Sequence, residues 1–242
     1  LDFFRSTVPV DHKFNQASLL CLSIGIVFAS LVILNNEYLH LVAYEKLQLD
    51  VFFLGYSFPI SLITMAVMFS FMRGRGGGRA RVVKEVSFWL VNLGVITFFA
   101  FIIFELLIPE VIVSSTLFVT VCVIFGLFVR VAPPVQQKAF LTSGMAFLLF
   151  TGLTGVFYIL KYYVPSLEAY AGLTLDLHAM IALYGWNLSG LFIIMRWSDF
   201  PIRMSTTVPI ALHWAIVLVL APLGKYVLPV AVAAVPAYMV LL

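Results

Sequence analysis

The sequence predicts an all-α membrane protein, a polytopic bundle of about seven or eight transmembrane helices. Its composition is the first reason: 63% of the 242 residues are hydrophobic, 10% are charged, and the mean hydropathy is +1.10. A soluble domain is typically about 45–50% apolar and about 25% charged. The second reason is that the apolar residues form runs of about 20 residues, the length that crosses roughly 30 Å of hydrocarbon as a helix. The third is the separation of basic and acidic residues described below.

Seven apolar runs are long enough to span a bilayer, and a shorter run ends the chain. Their predicted bounds are 17–36, 51–72, 87–108, 111–132, 139–162, 175–195 and 207–225, followed by 227–242. Prolines lie in the predicted connections, at Pro109, Pro133, Pro165 and Pro201. We find no internal repeat and no soluble segment, so residues 1–242 are predicted to form a single membrane-embedded domain.

One connection, residues 73–81, has the unusual sequence RGRGGGRAR. Its glycines and charges predict a loop outside the hydrocarbon, and we interpret it as a determinant of topology. Binding of anionic lipid or of a cytoplasmic partner is the alternative interpretation. The glycines do not form a phosphate loop, because no Gly-Lys-Ser/Thr follows and no strand precedes them.

Lysine and arginine are distributed unevenly between the two sides of the predicted bundle. If the connections are assigned alternately to two sides, the side of the N-terminus carries eleven of the fourteen basic residues. The opposite side carries only Lys46, Lys161 and Lys225. This bias predicts a plasma-membrane protein with a cytoplasmic N-terminus. The net charge of +3 arises from these membrane edges and does not indicate nucleic-acid binding.

Histidines are the first candidates for chemistry, because imidazole is the usual protein ligand for haem and many metals. His40 follows the first span and His178 opens the sixth, so both are predicted at the outer side. His213 lies inside the seventh span, where an ionisable group is expected to have a partner. We predict that His178 binds haem or a metal, with His40 or His213 as its partner; depth favours His40 and burial favours His213. His12, before the first span, is expected at the inner interface.

The sixth span carries small residues on the face of its histidine. His178, Ala182, Gly185 and Ser189 follow i, i+3 and i+4 spacing. Such a face either accommodates a flat macrocycle or lets a neighbouring helix pack closely. Deeper in the spans, Trp186 and Trp214 either line a cofactor or quinone pocket or fill space.

Two short segments carry a family resemblance. Residues 178–186, HAMIALYGW, resemble the His-Ala-His-Leu-x-Leu-x-Gly-Trp segment of membrane proteins related to haem–copper oxidases and nitric oxide reductases. Residues 10–13, VDHK, resemble the Asp-His-Lys before the first helix of oxidase catalytic subunits. Met180 replaces the second histidine, the second span has no histidine, and there is no His-His pair. The resemblance therefore implies a haem-binding or accessory subunit, with His178 as its ligand, and not a complete haem–copper centre.

Glu105 is the remaining candidate. It is predicted in the last turn of the third span, where a carboxylate serves proton or cation handling or else reaches interfacial water.

Three functions are consistent with these residues. The first is a membrane subunit of a respiratory or other electron-transfer complex, possessing at most a His-ligated b-type haem and contacting other membrane subunits and a quinone. The second is a structural or assembly subunit without chemistry of its own. The third is a small transporter or channel, for which Pro59, Pro209 and Pro222 within spans are typical. No hydrolase motif of the Gly-x-Ser-x-Gly or His-Glu-x-x-His type is present.

Overall fold

A computed structural model describes residues 2–41, 51–201 and 207–241, and it confirms the predicted helical membrane bundle. The described residues form helices and turns and contain no strand. The helices are α1 Val10–Leu39, α2 Phe53–Phe71, α3 Gly77–Ile103, α4 Leu107–Val131, α5 Gln136–Leu160, α6 Pro165–Met195, α7 Thr207–Gly224 and α8 Leu228–Leu241. In the described part of the chain, the first seven are long and apolar enough to cross a membrane, and α8 is shorter.

Three helices begin well before the predicted bounds. α1 begins at Val10 instead of 17, α3 begins at Gly77 instead of 87, and α6 begins at Pro165 instead of 175. The added turns of α1 and α3 carry charged residues that form ion pairs: Lys13 of α1 with Glu85 of α3, and Asp11 of α1 with Arg73. Hydropathy marks only the length buried in hydrocarbon, whereas backbone hydrogen bonding continues into the polar layer. The predicted loop 73–81 is accordingly shorter, because its second half is the first turn of α3.

Several prolines within the helices are accommodated by wide turns or by first-turn positions, whereas Pro236 lies inside α8. A π-helical turn at Phe53–Ser57 precedes Pro59, and another at Ile216–Leu220 precedes Pro222. A proline ring clashes with the carbonyl four residues earlier, and a wider turn relieves that clash. Pro109, predicted in a connection, instead occupies the first turn of α4, where a missing N–H is tolerated.

Six helices form a closed ring in the order α1, α2, α6, α5, α4, α3, with α3 returning to α1. α7 and α8 pack on each other, and α7 lies against α6 and α5. α6 therefore contacts α2, α5 and α7 and is the central helix of the bundle. It also contains a π-helical turn without a proline, Ile181–Asn187.

The large buried side chains concentrate towards the end of the bundle that carries the N-terminus. Phe14 of α1 packs against Phe69 of α2 and meets Phe88 of α3 edge-on. Phe140 of α5 stacks on Phe192 of α6 with ring centroids 4.2 Å apart. These aromatic contacts involve five of the six ring helices.

Candidate functional site

His178 is held in one orientation by α5. Its Nδ1 lies 2.9 Å from the Thr151 carbonyl oxygen and 3.3 Å from the Thr154 hydroxyl, and the edge of its ring borders Gly155. A carbonyl oxygen only accepts hydrogen bonds, so Nδ1 carries the proton and Nε2 of the neutral ring carries the lone pair. A histidine oriented in this way by a backbone carbonyl is typical of metal and haem ligands.

The Nε2 atom of His178 is accessible. It has no hydrogen-bond partner among residues 2–41, 51–201 and 207–241, and it is not fully buried. The ring as a whole is half-buried. The Nε2 nitrogen of His178 is therefore unpaired in the described structure and not fully enclosed at the α5–α6 seam.

His213 is enclosed. Its side chain is fully buried, and Nε2 donates to the Tyr184 carbonyl oxygen at 2.7 Å. Its ring stacks on Phe140 at 5.4 Å and meets Phe147 edge-on at 5.1 Å. Nδ1 is buried without a partner in the described structure. The partner expected for an intramembrane imidazole is thus a backbone carbonyl of α6.

The two intramembrane histidines do not converge. Tyr184, which anchors His213, lies six residues beyond His178 on α6, an axial separation of about 9 Å. Phenyl rings close off the remaining nitrogen of His213. His178 and His213 therefore make different contacts within the bundle.

His40 lies on another helix. It follows the π-helical turn Asn35–Leu39 that ends α1, has φ of 50°, and is exposed. α2 stands between α1 and α6 in the ring, and no hydrogen bond or ring contact joins His40 to His178. Among the described residues, no three side chains of His, Cys, Asp and Glu come together as metal ligands. His178 is consequently a single candidate ligand.

The small face of α6 is covered by α5. A Cβ atom added at Gly185 would lie 2.5 Å from the Phe147 ring, and one added at Gly144 would lie 2.0 Å from the Ser189 hydroxyl. Of the two interpretations of this face, close helix packing is the one that the structure contains. A macrocycle does not fit between α5 and α6 beneath His178.

The deep tryptophans fill space and bridge helices. Trp186 is buried and its indole N–H donates to Ser61 of α2 at 2.7 Å. The indole N–H of Trp214 donates to Ser143 of α5 at 2.6 Å. Both rings pack into the helix interfaces that these hydrogen bonds bridge.

The prediction that Glu105 lies within the third span is wrong. α3 ends at Ile103 and α4 begins at Leu107, so Glu105 occupies the turn between them and is exposed. Its φ of 56° is left-handed, a conformation that terminates a helix. A helix end at this point brings the carboxylate to the surface of the bundle, away from its interior.

Sequence reasoning missed the polar contacts that organise α6. The Tyr184 carbonyl accepts from both His213 and the Tyr238 hydroxyl of α8, the latter at 2.9 Å. The Asn187 amide donates to Ser57 of α2. Tyr184 and Asn187 both belong to the π-helical turn of α6. One signal in the sequence could have pointed to them: Asn187 is an amide within the apolar run 175–195, where a hydrogen bond to another helix is the ordinary expectation.

Comparison of the chain with protein-family models, with curated proteins and with solved structures found no match in any of the three.

Proposed function

We propose that this protein is a membrane-embedded subunit of an electron-transfer complex and that His178 is its ligand for a b-type haem. The orientation of His178 carries the proposal. Its Nδ1–H is committed to the Thr151 carbonyl, and its Nε2 atom is unpaired among the described residues and not fully buried. His213 and His40 do not share this combination of fixed orientation and an available nitrogen near a helix seam.

The haem of this proposal lies at the surface of the bundle. α5 occupies the small face of α6, so the space for a macrocycle is on the outside of the α5–α6 seam, against a partner subunit. His178 would hold the iron through Nε2, and the chemistry supplied by the haem is one-electron transfer. Thr151 and Thr154 would maintain the ring orientation through Nδ1.

A quinone is the second partner in this proposal. A cavity of about 260 Å³ opens between the outer ends of α5 and α6. Its lining residues are Phe157, Tyr158, Lys161, Leu167, Tyr170, Ala171 and Thr174. Thr174 precedes His178 by one helical turn. The Lys161 ammonium, 3.4 Å from the Tyr158 hydroxyl, is a donor for a quinone carbonyl within this aromatic wall.

The proposed orientation has a cytoplasmic N-terminus in the plasma membrane. Contacts of Asp11 with Arg73 and of Ser6 with Arg81 place the N-terminal segment and the basic loop at one end of the bundle. The pair Lys225–Asp176 lies at the other end. Labelling of Arg75→Cys and Glu168→Cys in intact cells with a membrane-impermeant maleimide tests this orientation; reaction of Arg75→Cys alone would reverse it.

The test of the haem proposal is the reduced-minus-oxidised visible spectrum of the purified protein or complex. We expect a b-type signal that is lost in His178→Ala and retained in His213→Ala, because the Nε2 of His213 is bonded to the Tyr184 carbonyl. A spectrum without haem, or a signal unaffected by His178→Ala, would contradict the assignment.

A structural subunit without a cofactor is the second candidate. The close contacts Gly144–Ser189, Gly185–Phe147 and Gly190–Thr64 favour it, because they leave the interior filled by side chains. This function predicts that His178→Ala leaves the assembled complex intact and active. Substrate flux into liposomes containing the purified protein would instead indicate a transporter.

A further inference from the structure

The end of the bundle that carries the N-terminus holds a set of cations in fixed positions. Arg73 pairs with Asp11, Lys13 with Glu85, and Arg5 with Asp2. The buried Lys84 ammonium donates to the carbonyl oxygens of Met72 and Arg75, the second at 2.9 Å. These contacts fix the connection between α2 and α3 without using every charge that it carries.

Two arginines of this connection remain uncompensated. Arg75 and Arg79 are exposed, and neither has a carboxylate partner in the described part of the chain. The backbone of Arg75 is held by Lys84, and Arg79 belongs to the first turn of α3. The chain turns between them at Gly76 and Gly77, whose φ angles of 91° and 66° favour glycine. Exposed guanidinium groups without a carboxylate partner can each donate two hydrogen bonds to the oxygens of a phosphate group.

An exposed apolar stripe continues from Arg79 down α3. Its members follow i, i+3 and i+4 spacing and all face outward: Arg79, Val82, Val86, Leu90, Leu93 and Thr97. Val82 is 62% exposed and Leu93 is 53% exposed. On this face of α3, the Arg79 guanidinium in the polar layer is therefore followed by exposed apolar side chains at the depth of the lipid hydrocarbon.

The stripe leads into a groove between α3 and α4. The groove has a volume of about 250 Å³, and its walls are Trp89, Leu90, Leu93, Gly94, Thr97, Val113 and Thr116. The near end of the groove, at Trp89, lies ten residues, or about 15 Å, below Arg79, and its far end, at Thr97, lies about 27 Å below. One leaflet of hydrocarbon is about 15 Å deep, since the whole core is about 30 Å thick.

We propose that Arg75 and Arg79 bind the phosphate of an anionic phospholipid whose acyl chain lies along α3 and enters the α3–α4 groove. A zwitterionic lipid fits the groove equally well but gains less from the arginines, because its headgroup carries no net charge. The site is independent of the haem proposal, because it lies on α3 and α4 and not at the α5–α6 seam.

Quenching of Trp89 fluorescence by brominated lipids tests this site in the full-length protein reconstituted in vesicles. The probes are dibrominated phosphatidylglycerol and dibrominated phosphatidylcholine, and Trp89→Phe supplies the background from the other tryptophans. We expect the relative binding constant to favour phosphatidylglycerol on the order of ten-fold, given the attraction of two arginines for anionic lipid. The double variant Arg75→Gln/Arg79→Gln should bring that ratio close to one.

A matched control removes two charges from the same end of the bundle outside the site. Arg130→Gln/Arg196→Gln should retain the preference, and Thr116→Phe should reduce quenching by both lipids because it fills the groove. Equal quenching by the two lipids in the wild type would overturn the proposal. So would an equal loss in the control variant, which would assign the effect to net charge, or abolition of the preference by inorganic phosphate, which would assign the arginines to a soluble anion.

Discussion

Two pairs of helices differ in how much of their surface is buried inside the bundle: α2 with α6, and α3 with α4. In the most apolar window of each helix, 44% of residues are buried in α2 and in α6, against 17% in α3 and in α4. α2 and α6 are joined by Trp186–Ser61 and Asn187–Ser57 hydrogen bonds, and by close approach at Gly190. α3 instead reaches α1 through the Lys13–Glu85 pair near the polar layer.

The difference shows two ways to hold a helix in lipid. Inside the bilayer, a leucine side chain gains nothing by moving from lipid to another helix, because acyl chains are equally apolar. Helix association therefore depends on close packing and hydrogen bonds. α2 and α6 have both through most of their length. α3 has them mainly at one end, and its remaining surface is left to lipid or a partner.

The largest expected effect is at Gly190, where α6 meets α2. A Cβ atom there would lie 1.8 Å from the Thr64 hydroxyl, so Gly190→Leu must separate the two helices. We expect a loss of about 3 kcal/mol or more of unfolding free energy, or failure to assemble. The matched control is Gly126→Leu on α4, since nothing lies within 4 Å of a Cβ added there. Unfolding in detergent measures both; equal stability of the two variants would remove the distinction between the regions.

A smaller effect is expected where α3 joins α1. The Lys13 ammonium is fully buried, and Glu85→Gln removes its carboxylate. Breaking a buried pair is destabilising by about 3–5 kcal/mol, but Glu85 is one-third exposed, so we expect a loss of about 2 kcal/mol. Glu168→Gln is the control, because its carboxylate is 68% exposed and 4.0 Å from Lys161. If the same unfolding assay gives Glu85→Gln and the control equal stabilities, the pair does not anchor α3.

The smallest effect concerns the opposite end, where Lys225 after α7 pairs with Asp176 of α6. The hydrogen bond with Asp176 raises the pKa of Lys225 above its ordinary 10.5. A raised pKa means that the stabilisation is present below the unfolded pKa and disappears as pH rises through the folded value. Wild type should therefore melt slightly higher than Asp176→Asn at pH 8, and the difference should shrink as pH rises above the ordinary lysine pKa of 10.5. A difference that persists at high pH would assign the effect to packing.

Much of the fold could be predicted because hydrocarbon thickness limits what a span can be. The predicted bounds 51–72 and 207–225 agree within two residues with α2 and α7. The starts of α1 and α3 could not be predicted from hydropathy, because their first turns are charged and depend on cross-helix pairs such as Lys13–Glu85. Glu105 was misplaced for the related reason that a left-handed residue, invisible to hydropathy, ends α3.

The candidate site likewise combines features that follow from the sequence with features that depend on helix packing. Composition and spacing by themselves determined that this is a helical membrane bundle and that His178 belongs to its sixth span, because these depend on runs along the chain. The start of that span at Pro165 and the neighbour that covers each face were decided only by tertiary structure. His213 is enclosed by Phe140 and Phe147 and bonded to Tyr184, whereas His178 is held by Thr151 through Nδ1. Both histidines have the same intrinsic chemistry; the helix packed against each one determines which nitrogen remains available.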